Sequence, residues 1–165
     1  TFTQTSYNVS SGNPTDAEAA SNTKGGSLYS QMNASITTKL ANQKVLVTCV
    51  VVGEWSLELA NKGLILMRAT SGNGVPIRPS ASGSRGRILS PFVISYHGDN
   101  TSTLETAVIT YVDTLSTADT YTYWSMLINT SSINSTFYLN RTVVNADALY
   151  SEIGCSCISL QLLSS

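Results

Sequence analysis

The chain has 165 residues and a formal net charge of −1, from nine Lys plus Arg against ten Asp plus Glu, and only 12% of it is charged. That balance gives no electrostatic footprint for phosphate backbones or anionic lipid, so nucleic acid is not an expected partner, and no apolar run approaches the ~18 residues a membrane span needs. With 42% hydrophobic residues a single domain can bury a core, while Ser, Thr and Asn carry the surface polarity, which binds by shape and hydrogen bonds rather than by charge.

Residues 1–26 are dominated by Ser, Thr, Asn and Gly and read as an extended N-terminal arm, an attachment segment ordered only where something holds it. Asn13-Pro14-Thr15-Asp16 can open one helical turn through Ala20, with Asn13 as the cap and Pro14 at the first helical position. Residues 27–165 are expected to form the domain. Leu28, Met32, Ala34, Ile36 and Leu40 fall on one strand face, and the β-branched run Ile36-Thr37-Thr38 favours strand over helix. Residues 44–52, Lys-Val-Leu-Val-Thr-Cys-Val-Val-Val, predict a central strand covered on both sides. Trp55, Leu57 and Leu59 then alternate with polar residues, and Asn61-Lys62-Gly63 turns the chain into residues 64–68. That pair predicts a hairpin in which Gly63 supplies the left-handed residue.

Residues 70–87 form the longest irregular segment, and loops of that length in a compact domain are often functional. Asn73, Arg78, Arg85 and Arg87 make it the first candidate binding loop. Its three arginines sit among Gly, Ser and Pro, which reads as a solvated loop in preference to a phosphate site. Residues 88–96 predict a strand, and the turn after it offers His97, Asp99 and Asn100 as a second candidate binding loop. Residues 106–115 alternate Val108, Thr110 and Val112 against Ala107, Ile109 and Tyr111. Residues 120–129 place Trp124, Met126 and Ile128 on one face and Tyr121, Tyr123, Ser125 and Leu127 on the other, with residues 135–142 as the expected antiparallel partner. Tyr111, Tyr121 and Tyr123 supply aromatic surface for a candidate subunit interface. The final strand, residues 154–163, sets Ile158, Leu160 and Leu162 on one face.

About eight strands separated by turn chemistry, with no long helix, predict an all-β fold: a two-sheet antiparallel jelly-roll sandwich. Little in the chain suggests catalysis. His97 is the one histidine, and Asp99 two residues away on a turn cannot readily orient its ring, so no enzyme is expected. Cys49, Cys155 and Cys157 make an uneven count without a neighbouring histidine; they are expected to be buried free thiols, and neither a metal site nor a cofactor is expected. Asn140, Arg141 and Asp147 read as a structural turn, with Arg141 pairing with Asp147.

The order of these pieces resembles a family of bacteriophage virion proteins, found in phages of cyanobacteria and other aquatic bacteria, often as C-terminal modules of tail fibres. The resemblance runs over residues 28–163 and is carried by Asn42-Gln43-Lys44-Val45-Leu46-Val47, Leu64-Ile65-Leu66-Met67-Arg68, Thr110-Tyr111-Val112, Tyr138-Leu139-Asn140-Arg141-Thr142 and Cys157-Ile158-Ser159-Leu160-Gln161-Leu162. It implies a jelly roll like that of tumour necrosis factor, assembled as a homotrimer in the host cytoplasm and displayed on the virion surface. It further implies host attachment by loops that meet a surface glycan or protein, with the arm joining other virion proteins. A capsid decoration protein and a soluble carbohydrate-binding module are the rival expectations.

Overall fold

The computed structural model describes residues 4–57, 61–92, 103–146 and 151–163. Two antiparallel sheets pack as a sandwich. The first is built on β4 (Gln43–Trp55). Along residues 43–53 of one edge of β4 runs β8 (Glu105–Leu115). The other edge is shared by β11 (Cys157–Leu163), opposite residues 44–50, and β10 (Ser135–Leu139), opposite residues 53–55, with β1 (Thr5–Val9) added outside β10.

The second sheet is built on β9 (Thr120–Asn129) and β5 (Lys62–Ala69). The outer edge of β9 carries β2 (Gly26–Ser27) and β3 (Asn33–Thr37), and that of β5 carries β6 (Val75–Ile77) and β7 (Ser90–Pro91). Hydroxyl pairs tie β3 to β9, with Ser35 to Thr122 and Thr37 to Thr120 both at 2.8 Å.

Period-two alternation decides what each strand buries. Val45, Val47, Cys49 and Val51 of β4 and Ile109 of β8 face Leu64 and Leu66 of β5 and Tyr121, Tyr123 and Leu127 of β9, which forms the main core between the sheets. Trp55, Phe92 and Phe137 close one end, with ring centroids 5.0 to 5.8 Å apart. Gly53 is required there, because a Cβ would lie 2.2 Å from the Tyr138 carbonyl oxygen and 2.5 Å from the Phe137 ring. The two faces expected of β9 are the two observed. Trp124, Met126 and Ile128 point the other way, joining Ile65, Met67 and Ala19 in a second, smaller core under α1 (Asp16–Ala20).

Several expectations are corrected. The segments on either side of Asn61 do not form a hairpin: β4 and β5 lie in different sheets, and the left-handed residue between them is Asn61 (φ 75°), not Gly63. Gly63 is needed for space instead, since a Cβ would meet the Ser90 carbonyl oxygen at 2.6 Å. Likewise β9 and β10 are not partners, and the turn between them carries the chain from one sheet to the other. The single face drawn through Leu28 to Leu40 breaks up, because Leu28 and Met32 are buried before β3 begins and Leu40 is exposed beyond it. Of the strand expected at residues 88–96, β7 is the described part.

The strand over residues 44–52 is covered on one side only; Leu46, Thr48, Val50 and Val52 are half-buried on its outer face. Thr15, not Asn13, caps α1. Its side chain accepts from the Glu18 N–H at 3.2 Å while the Glu18 carboxylate accepts from the Thr15 N–H at 2.7 Å, a reciprocal box that Asn13 is too far back to make. Cys49 is buried, and burial pushes its thiol up to about 11, but Cys155 and Cys157 are exposed. An outward Cys157 follows from its register opposite Val50, on the outer face of the first sheet.

Candidate ligand cleft on the outer face of the second sheet

The stretch read as an arm is held by the 70–87 loop. Arg78 is completely buried along its side chain and reaches Asp16 with Nη2 at 2.6 Å and Nε at 3.0 Å, and the Pro14 carbonyl with Nη2 at 2.8 Å. Arg87 adds Asp16 at 3.0 Å and the Pro79 carbonyl at 2.8 Å, while the Asn13 amide donates to the Arg85 carbonyl at 2.9 Å. The Arg78 hydrogen bond, followed by that from Arg87, holds the Asp16 carboxyl below its ordinary value. Two of the three loop arginines are therefore internal fasteners, and Arg85 is exposed.

Fixing α1 against the loop leaves an open cleft of about 410 Å³ beside it. Its floor is the outer face of the second sheet, Thr122 and Trp124 of β9 beside Ala69 of β5. One wall is the end of α1 at Ser21 and Asn22, and the opposite wall is the turn from Thr70 to Gly74 between β5 and β6. Gly72 in that turn has φ 65°, and Gly74 lies flat on the indole, where a Cβ would come within 2.3 Å of Trp124 Cη2. Tyr29 stands at the rim, 50% exposed, its ring at 87° to Trp124 with centroids 5.0 Å apart.

None of the described residues lining the cleft is charged. Several of its polar groups are already used in shaping it: Thr122 bonds Ser35, and the Asn22 side-chain oxygen accepts from the Ser27 N–H at 3.2 Å. By contrast, the side chains of Thr70, Ser71 and Asn73 make no hydrogen bond to the described residues, and Trp124 Nε1 is buried without a partner. The arrangement offers a half-exposed aromatic ring, a rigid floor and neutral donors and acceptors. Its described lining holds hydroxyl, amide and aromatic groups and no charged acid–base pair.

The remaining predicted residues are dispersed. Asn73 lies in the cleft, whereas His97, Asp99 and Asn100 lie outside the described residues. Tyr121 and Tyr123 are inside the sandwich and Tyr111 is half-buried with its face toward the core, so these three are core rather than outer surface. Asn140 is left-handed (φ 61°), its N–H donates to the Val52 carbonyl at 2.9 Å and its side-chain oxygen accepts from the Ser156 N–H at 2.8 Å. Arg141 donates to the Thr142 and Val143 carbonyls, with its guanidinium carbon 4.4 Å from the Tyr138 ring centroid. Asp147, its expected partner, lies outside the described residues.

Two groups missed by sequence reasoning are a triad of Arg68, Asp113 and Tyr123, and Lys62. The Lys62 ammonium is buried 4.6 Å from the Trp55 ring centroid and donates to the Leu57 carbonyl and to Ser135 Oγ. Burial lowers it to about 8, against the opposing pull of Glu105. Its signal was a lysine at the start of an apolar strand. Tyr29 had no signal, being 95 residues from Trp124 in sequence.

Among the described residues no helix is long and apolar enough to cross a membrane, and no cluster of three or more His, Cys, Asp and Glu could hold a metal. These features define the chain as a two-sheet antiparallel β-sandwich with a neutral cleft on one outer face. No protein-family model matches it, and no curated protein matches it in sequence.

Proposed function

We propose that the chain is a non-enzymatic structural protein of a bacteriophage virion, a self-associating sandwich displayed at the particle surface for host attachment. The observation that carries this reading is the bare outer face of the first sheet. Val108 and Val112 of β8 are each 47% exposed, flanked by Thr106, Thr110 and Thr114. They lie in register with Val50 and Leu46 of β4, and then with Cys157 and Gln161 of β11. Along β8 and residues 44–52 of β4 the one charge on this face is Lys44, while toward β10 Glu54 is buried opposite Tyr138 and Arg141 lies on the Tyr138 ring, so a second copy can cover the β8 half with little cost in desolvated charge.

Closed assembly through that face, as the trimer implied by the resemblance, leaves the opposite sheet outward in every subunit. The cleft is on that opposite sheet. Three weak sites on one particle component then act together, raising avidity without any being tight. The repeated crossing of the chain between sheets suits the jelly-roll winding that the resemblance implies. A capsid decoration role is favoured by one feature, the folding of residues 11–27 onto the sandwich, which makes a compact module rather than a tethered one.

Sedimentation equilibrium tests the self-association. The expected mass is that of three chains of 17.6 kDa each, and Val108→Glu together with Val112→Glu is expected to yield folded monomers. A monomeric parent at tens of micromolar would remove the support.

A further inference from the structure

We infer that the cleft between α1, Tyr29 and the Thr70 to Gly74 turn binds a neutral pyranose sugar. The geometry alone supports sugar binding; the attachment role proposed above is needed only to make that sugar part of a host-surface glycan.

The absence of charge from the described lining is the first step. An acidic or basic ligand would be desolvated there without a countercharge, whereas a neutral one would not. The second step is the pairing of surfaces. A pyranose presents C–H groups of slight positive charge on one face and hydroxyls around its rim, and an aromatic ring offers a negative face to the former. Tyr29 is half exposed beside the cleft and its ring packs at 87° to that of Trp124, a contact that reduces the ordering it needs to meet a ligand.

Hydroxyls each donate and accept, and they need partners that do both. The side chains of Thr70, Ser71 and Asn73, which line both this cleft and the neighbouring one beside Arg68 and Tyr121, are unengaged with the described residues. A purely apolar ligand would leave them unpaired, which disfavours lipid or an apolar peptide. The volume, about 410 Å³, is at the low end of small-molecule sites and suits one or two sugar rings. Gly74, flat on the Trp124 indole, and the Ser35 bond to Thr122 keep the floor rigid.

The test is titration of the whole chain with methyl glycosides of glucose, galactose, mannose, rhamnose and N-acetylglucosamine, and with an array of neutral bacterial surface glycans. Trp124 fluorescence and saturation-transfer NMR are the readouts. Trp55 is wholly buried in the main core, so a ligand-dependent change in emission reports on Trp124. Saturable binding of at least one neutral sugar is expected, weakened about tenfold by Tyr29→Ala and by Asn73→Ala, with polygalacturonate and heparin not competing. Failure of every neutral sugar to bind would overturn the inference, as would binding indifferent to both substitutions or displaced by the acidic polymers. The virion reading is tested separately by locating the protein on particles, so either can fail without the other.

Discussion

Arg68 of β5 and Asp113 of β8 belong to different sheets, and they meet across the interior at 2.6 Å. The same Asp113 oxygen accepts the Tyr123 hydroxyl of β9 at 2.9 Å, so one carboxylate fastens both central strands of the second sheet to the edge of the first. Burial, reinforced by Asp113, raises the Tyr123 hydroxyl well above its ordinary value and keeps it a donor.

Removing that carboxylate leaves a phenol and a guanidinium without their partner. Arg68 retains some solvent, at 28% side-chain exposure, which limits the loss. Asp113→Ala is expected to cost about 2 kcal/mol, lowering Tm by about 4–8 °C in a chain of this size. Tyr123→Phe in the same background should add less than it does alone, because both act on one oxygen. Thermal melts of the two single variants and the double variant check this, and strict additivity would speak against a shared site.

Lys62 gives a pH dependence with a definite sign. Its folded value of about 8 lies below its ordinary 10.5. Between those values the unfolded chain binds the extra proton, so this group makes the fold more stable as pH rises from about 8 to about 10.5. The penalty is complete below pH 8, and its relief is at most about 3 kcal/mol. Lys62→Met should remove this rise. Urea unfolding of parent and variant at pH 7.5 and 10 reads the difference, which cancels the contribution of other titrating groups; equal changes in the two proteins would contradict the assignment.

Arg78 links the N-terminal segment to the loop. Arg78→Ala is expected to release residues 11–20 without unfolding the sandwich, seen as fast amide exchange there while β4 and β9 stay protected. Asp16 makes the link acid-sensitive. Its folded value is depressed, so the stabilisation is present above the ordinary Asp range and is lost as pH falls through the lower folded value. Exchange at pH 6 that is unchanged by Arg78→Ala would show that something else holds the segment.

What could be read in advance followed local periodicity. The alternation of β8, β9 and β11 fixes which residues share a face, because successive side chains point to opposite sides. Pairing is a different matter. The turns at Asn61 and after Asn129 have the composition of hairpin turns, yet each carries the chain to the other sheet, since turn chemistry reverses direction without choosing a partner. The outward valines of β4 looked doubly covered for a similar reason: an apolar run reads alike whether one of its faces is packed or both are.

The N-terminal stretch looked unanchored because its anchors are polar and distant. Arg78 lies 62 residues from Asp16 in sequence. Of the cleft only Asn73 was legible, through its Gly-rich turn; Tyr29 and Trp124 are united by the fold alone.

Gold-labelled antibody against this chain, applied to purified phage particles that carry its gene and viewed by electron microscopy, tests the central claim most directly. Label on the particles is the predicted result, at the tail or fibre tips for a host-attachment module and spread over the head for a decoration protein. Particles that stay bare while the same antibody recognises the folded protein would contradict the virion reading.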